Sequence, residues 1–168
     1  SWNPCGDADW AFGKFWDPTN SPWNWRNGSH LPLCFAASWS EWTPANVRSK
    51  LETSPEICSL HLLCLHYSNE SPFQFEDRWI DLKSIPEAEQ EKFEDINPNE
   101  WLVKNVPWTN AERILSAANA DAKKAELLSL AEGDALFVIQ RRTWRKENLV
   151  TYVRLYYPGR FYQMRTIL

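Results

Sequence analysis

The sequence predicts an α+β domain built on a single antiparallel β-sheet with short helices packed on it. The chain has 168 residues, which is enough for one domain with a hydrophobic core. Residues 136–157 contain two runs rich in β-branched and aromatic residues around the polar stretch 145–148, the pattern of a long antiparallel hairpin. The order of strands and helices along the chain does not follow the βαβ alternation of parallel sheets.

A strand and a short helix are predicted first. Residues 31–39, LPLCFAASW, have the composition of a strand. Thr43 and Pro44 are typical of a helix start, with Thr43 as the N-cap and the proline at the first helical position. This helix is expected to end at Leu51, and Pro55 closes the connection that follows.

A second hairpin is predicted over residues 57–80. Residues 57–67 are apolar on both faces, which favours a central strand, and residues 72–80 return antiparallel after the turn at 68–71. Strand alternation gives the returning strand two different faces. Phe73, Phe75 and Trp79 lie on one face, and Gln74, Glu76 and Arg78 lie on the other.

The remaining elements are short. Residues 108–118 fit a strand or a helix, and a strand is favoured because a helix clearly restarts after them. Helices are predicted at 86–93, at 99–103 after Asn97-Pro98, and at 122–130 with Asp121 as N-cap; a last strand is predicted at 161–167.

A faint internal repeat relates the two hairpins. Residues 57–80 and 136–157 share length and turn style, and each hairpin follows a short helix and an acidic turn. Two similar halves that complete one sheet would leave a cavity between the sheet and its covering helices. Such a cavity is a reasonable place for a ligand.

Composition narrows the class of function. The net charge is −4 and the pI is near 5.4, which argues against nucleic-acid binding by this domain alone. No apolar run is long enough to cross a bilayer and no signal peptide is evident, so a cytosolic location is expected. Residues 1–26 are predicted to be an irregular Trp-rich arm, and residues 27–168 the folded domain. An aromatic platform for stacking a ligand is the alternative for this arm.

The cysteines and arginines raise separate questions. The four cysteines show no zinc spacing, so we expect reduced, structural thiols and no metal or other cofactor. Arg141, Arg142 and Arg154 lie on the long hairpin, although arginine is rarely buried without a partner. Because adjacent strand residues face opposite ways, only one of Arg141 and Arg142 can line a cavity.

Four segments together resemble a known family. PFQFEDRWID, INPNEWLVKNVPWTNAERI, AKKAELLSLAEGDALFVIQRRTW and VTYVRLYYPG occur in this order. They resemble the UTRA effector-binding domain of the histidine-utilisation repressors, which belong to the GntR superfamily and have a chorismate-lyase-like fold. The similarity covers residues 57–162 strongly and residues 27–51 weakly.

The resemblance implies a regulatory function rather than an enzymatic one. It implies an effector such as urocanate or a related small carboxylate, a homodimer, and DNA contact only through an N-terminal winged helix-turn-helix that is absent from these residues. By position, it assigns ligand contacts to Cys64, His66, Glu76, Asn97 and Tyr162. Arg142 and Arg154 are added because guanidiniums can clamp a carboxylate. The candidate ligand-binding residues are therefore Cys64, His66, Glu76, Arg78, Asn97, Arg142, Arg154 and Tyr162.

Other interpretations remain open from the sequence. Glu76 and Arg78 also fit a pair of cross-strand partners, and His66 also fits a core histidine that is satisfied by the backbone. The shared fold allows a chorismate pyruvate-lyase-like enzyme, although no nucleophile–base pair or metal triad is visible. A purely structural dimerisation module is the third possibility.

Overall fold

The computed structural model describes residues 34–40, 43–52, 58–93, 96–165 and 167. Within them the predicted α+β class is confirmed, because six antiparallel strands form one sheet in the order β1-β2-β3-β6-β5-β4. The predicted Trp-rich arm at residues 1–26 lies outside the described residues. The elements are β1 (Cys34–Ser40), α1 (Ala45–Leu51), β2 (Ser59–Ser68), β3 (Ser71–Asp81), α2 (Pro98–Asn105), β4 (Asn110–Asn119), α3 (Ala122–Leu128), β5 (Ala135–Arg145) and β6 (Asn148–Pro158), with short 3-10 helices at Pro86–Gln90 and Gly159–Phe161.

Two similar halves build the sheet. The first runs β1–α1–β2–β3 and the second runs β4–α3–β5–β6. The halves join where β3 pairs with β6, with Glu76 opposite Leu155 and Asp77 opposite Arg154. The arrangement agrees with the faint repeat in the sequence, and α2 lies in the connection between the halves.

Helical segments cover both faces of the sheet. On one face, α1 packs around Trp79 and Tyr152, and α3 packs around Phe75 and Tyr156. On the other face, the 3-10 helix at Pro86–Gln90 and α2 cover the inward residues of β2 and β3. That second core includes Leu60, Leu62, Ile80, Ile85, Phe93, Trp101 and Leu102.

Two helix starts are as predicted. The Asn97 side chain accepts a hydrogen bond from the backbone N–H of Asn99 at 2.8 Å, and Asp121 accepts from that of Lys124 at 2.8 Å. The first helix differs, because its N-cap is Pro44 and no side chain among the described residues caps it. Thr43 instead donates its hydroxyl to the Ser59 hydroxyl at 3.1 Å, which ties the helix start to β2.

The predicted last strand is wrong. After β6 the chain forms a 3-10 turn at Gly159–Phe161, and residues 162–165 join no strand ladder. A Cβ on Gly159 would lie 2.9 Å from the Ala135 carbonyl oxygen, so glycine is needed for this tight exit. β6 is already paired on both sides, with β3 and with β5. A strand that followed β6 directly would therefore find no free edge of β6 to pair with.

The expectation of reduced thiols is also wrong for the two described interior cysteines. Cys58 and Cys64 are both disulfide-bonded, and no cysteine among the described residues is free. A disulfide requires two Cα atoms to come within a few ångströms, which depends on strand register rather than on spacing along the chain. Disulfides are typical of oxidising compartments, and the cytosolic location stays a prediction.

Candidate ligand-binding site

A cavity of about 290 Å³ lies between the sheet and the start of α2. Its floor is the face of β3 that carries Glu76 and Arg78, together with the matching faces of β4, β5 and β6. Asn97 and Asn99 approach it from the helix side. The lining residues are Gln74, Glu76, Arg78, Asn97, Asn99, Arg113, Ile139, Arg141, Leu155 and Tyr157.

A buried hydrogen-bond chain runs through Glu76. The His66 Nε2 lies 2.8 Å from one Glu76 carboxylate oxygen, and the Arg78 Nε donates to the other. The Asn97 amide donates to His66 Nδ1 at 3.4 Å, which fits a histidine protonated at Nε2. Arg78 also donates to the Thr151 hydroxyl at 3.4 Å. The chain therefore connects α2 with β2, β3 and β6.

Glu76 is ionised in this environment. Burial alone would raise its pKa, but the Arg78 charge and the contact with His66 outweigh burial and lower the pKa from 4.5 to about 2. Both Glu76 and Arg78 are almost completely shielded from water. Together they form a neutral ion pair at one end of the cavity, with the imidazole of His66 attached.

Arg141 and Arg113 give the opposite side of the cavity a positive charge. They lie directly opposite each other in the register of β4 and β5. Burial, and then the charges of Arg78 and Arg113, lower the pKa of Arg141 to about 10, so it remains protonated at neutral pH. One Arg141 nitrogen donates to Asn99, whereas its buried Nε has no hydrogen-bond partner in the described part of the chain.

Tyr157 completes the wall next to the C-terminal segment. Burial, and then the influence of Tyr162 and Glu76, raise the pKa of Tyr157 to about 12, so its hydroxyl stays protonated and can donate. Tyr162 lies behind this wall. Its ring stacks on Phe137 with centroids 4.2 Å apart and contacts Tyr157 at 4.6 Å.

The structure brings together only part of the candidate set. Glu76, Arg78 and Asn97 line the cavity, and His66 is bonded to two of them. Cys64 is buried in the core and disulfide-bonded, so it offers no thiol to a ligand.

Arg142 and Arg154 lie on the opposite face of the sheet. Arg142 donates to Glu112 at 2.7 Å and to Glu52 at 3.0 Å. Arg154 donates to Asp77. Strand alternation allowed one arginine of the adjacent pair inside, and in the structure that arginine is Arg141.

The sequence interpretation missed Arg141, Arg113 and Asn99. The face on which Arg141 lies follows from the β3–β6 and β5–β6 registers. These place Leu155 beside Glu76 and Ile139 beside Leu155, and Arg141 lies on the same face as Ile139, two residues further along β5. No local pattern gives those registers. Arg113 was missed because residues 108–118 were ambiguous between strand and helix.

The arrangement favours binding over catalysis. A carboxylate can bind the guanidiniums, while Glu76, Asn97 and Tyr157 offer polar groups to a second part of the molecule. Among the described residues no group of three or more His, Cys, Asp or Glu side chains is placed to hold a metal ion. None of the described helices is both long and apolar enough to span a membrane.

The sequence matches a known domain family and several curated proteins. Residues 40–163 match the family described as the UTRA domain. A histidine utilization repressor from Klebsiella aerogenes is 33% identical over 105 residues, which are 62% of this chain and 44% of that protein. One from Pseudomonas aeruginosa is 33% identical over 99 residues, which are 59% of this chain and 40% of that protein. The matched region spans less than half the length of these curated relatives.

Solved structures of repressor domains share the fold of this chain. The C-terminal domain of the histidine utilization repressor from Pseudomonas syringae pv. tomato has a TM-score of 0.74 at 25% identity, covering 80% of this chain and 95% of that one. The effector binding domain of the Bacillus subtilis trehalose repressor has a TM-score of 0.70 at 12% identity, covering 81% and 95%, and shows a shared fold only. The two curated relatives and the Pseudomonas syringae protein are all named histidine utilization repressors.

Proposed function

The chain belongs to the UTRA domain family, and from this premise we propose that it is the effector-sensing domain of a GntR-type repressor of histidine utilisation. Two curated relatives, each 33% identical to this chain over the matched 105 and 99 residues, are named histidine utilization repressors. The proposed effector is urocanate or a similar small imidazole carboxylate. It would bind in the cavity between the sheet and α2.

The observation that carries this proposal is the charge around the cavity. Three guanidiniums, from Arg78, Arg113 and Arg141, face the single carboxylate of Glu76. Arg78 is already paired with Glu76. In the described part of the chain neither Arg113 nor Arg141 forms a salt bridge, so an anionic ligand would supply the missing negative charge.

The other end of the cavity suits an imidazole. An ionised carboxylate has about four acceptor positions, so Glu76 can accept from a ligand N–H in addition to its two protein partners. Asn97 is next to the same point and can donate or accept. A flat molecule with a carboxylate at one end and a ring N–H at the other therefore matches both ends.

We also propose that the domain forms a homodimer through β4. This strand is at the edge of the sheet, and all ten of its residues are exposed, including Ile114 and Leu115. Unpaired edge strands readily pair with another chain, and a second copy would extend the sheet about a twofold axis. We further propose that this domain does not contact DNA itself. DNA would be bound by a winged helix-turn-helix domain that lies outside the matched residues 40–163.

Calorimetric titration with urocanate tests the proposal. We expect saturable binding with no product formed and a rise in melting temperature with ligand concentration. Turnover of chorismate by the same protein would contradict the regulatory assignment. The absence of both heat and a melting shift at millimolar urocanate would contradict the assignment of the effector.

A further inference from the structure

We propose that, among the small imidazole carboxylates, the effector is one that carries an added apolar group next to its carboxylate, and that this group occupies a separate apolar chamber next to the charged cavity. This inference rests on the proposed binding of a small carboxylate in that cavity. It adds to the proposed function a second binding site and a narrower class of ligand.

The apolar chamber has a volume of about 230 Å³. An apolar cavity of about 150 Å³ is enough to bind benzene, so this chamber has room for an aromatic ring. Aliphatic and aromatic side chains from α2, the loop after it and the facing strands provide most of its walls. These are Leu102, Val103, Val106, Trp108, Ala111 and Val150, with Thr143 and Thr151.

The two cavities meet at three shared residues. Asn99, Arg113 and Arg141 line both the charged cavity and the apolar chamber. The two arginines are strand neighbours, and Arg141 donates to the side-chain oxygen of Asn99. A carboxylate bound at these guanidiniums would lie at the boundary. The two other groups on the carbon next to the carboxylate could then extend one into each cavity.

The polar side chains at the boundary are joined by a hydrogen bond that a ligand can replace. The Asn99 oxygen accepts a hydrogen bond from an Arg141 N–H, and a ligand carboxylate would accept from the same N–H more strongly, because a hydrogen bond between two charged groups is stronger than one to a neutral amide oxygen. Asn99 can then donate its amide N–H to the same carboxylate. The buried Arg141 Nε, which has no partner in the described part of the chain, is a further donor for the ligand.

The chamber has a fixed inner wall and an open rim. Leu102, Val106 and Val150 are buried and belong to the core between α2 and the sheet. Val103 and Trp108, in contrast, are 60% and 53% exposed. Small-molecule sites are mostly apolar with a few placed polar groups. The charged cavity alone lacks that composition, whereas the two chambers together have it.

Two related acids test the inference. Urocanate and its derivative with a phenyl group on the carbon next to the carboxylate are titrated into the protein by calorimetry. The derivative is expected to bind at least about tenfold more tightly, since burying an aromatic ring contributes at least that much. A derivative that binds no more tightly than urocanate would overturn the inference while the proposed function stands.

Variants locate the gain. Trp108→Ser and Val103→Ser should each reduce the ratio of the two affinities severalfold. Met164→Ser, at a 50% exposed apolar residue that lines neither chamber, should leave the ratio unchanged. An equal loss of the ratio in Met164→Ser would contradict the assignment of the chamber.

A probe without an imidazole separates the two proposals. Saturation-transfer NMR with benzoate, and with acetate as the ring-free control, reports on the boundary arginines and the chamber alone. Benzoate binding that Trp108→Ser abolishes would support the inference even if urocanate fails to bind, in which case the proposed effector is wrong. No benzoate binding would overturn the inference whether or not urocanate binds.

Discussion

Glu76 and Asp77 are consecutive residues of β3 whose carboxylates lie on opposite faces of the sheet, and each is held by one histidine and one arginine. On the cavity face, Glu76 is bound by His66 and Arg78. One peptide unit therefore connects the floor of the proposed ligand site with a second polar cluster behind it.

The second cluster, around Asp77, accounts for the position of Arg154, which the sequence had assigned to the ligand site. Asp77 contacts His61 at 2.8 Å and accepts from Arg154. Burial would raise the pKa of Asp77, but His61 and Arg154 outweigh burial and lower it. Arg154 thus has a structural partner of its own. An Arg154→Ala variant should bind urocanate as tightly as the parent, and a loss of more than about tenfold would argue for a direct or transmitted role.

Removing one member of the buried pair should be costly. Arg78→Met leaves the Glu76 charge buried without its guanidinium, and breaking such a pair costs about 3–5 kcal/mol of unfolding free energy. The double variant Glu76→Met/Arg78→Met should lose less than the sum of the two single losses, because no charge remains uncompensated. Urea unfolding measures all three. Additive losses would show that the two charges do not stabilise each other.

Acid should weaken the fold in a specific pH range. The pKa of Glu76 is about 2 in the folded chain and near 4.5 when unperturbed. A lowered folded pKa stabilises the protein above the unfolded value, and this contribution is lost as the pH falls from about 4.5 toward about 2. Glu76→Gln cannot lose it, so its stability should decline less steeply over that range. Urea midpoints at several pH values test this, and parallel declines would contradict the assignment.

The sequence predicted the sheet far better than the site. Period-two alternation in PFQFEDRWI correctly placed Glu76 and Arg78 on one face, and helix-cap patterns located the starts of α2 and α3. Alternation also required one of Arg141 and Arg142 to face inward. Which one does so depends on how β5, β6 and β3 align, and that alignment comes from long-range packing.

The β4 edge should control self-association. Lysines at Ile114 and Leu115 would set like charges against each other across a twofold-related strand pair, so the double variant should be mostly monomeric. Met164→Lys adds a charge at an exposed apolar residue outside β4 and is the matched control. Sedimentation velocity distinguishes the species. A monomeric parent, or a dimer that survives the double lysine variant, would contradict the proposed interface.

Ligand binding should protect α2 from hydrogen exchange. Asn97 contacts His66 and Asn99 contacts Arg141, so the first turn of α2 is bonded to the floor of the cavity on two sides. A ligand held between Asn99 and Arg141 would strengthen that connection. Exchange over residues 96–108 should therefore slow when urocanate is added, while exchange in α1 should change little. Equal exchange of residues 96–108 with and without ligand would contradict this role.

The pair Arg141 and Arg142 tests the central claim most directly. The two residues are adjacent, but Arg141 lines the cavity and Arg142 bonds to Glu112 on the other face. In calorimetric titrations with urocanate, Arg141→Ala should weaken binding by about 10- to 100-fold, which corresponds to the loss of a charge-assisted hydrogen bond. Arg142→Ala should stay within about twofold of the parent. Unchanged affinity in Arg141→Ala, or an equal loss in both variants, would contradict the assignment of this cavity as the effector site.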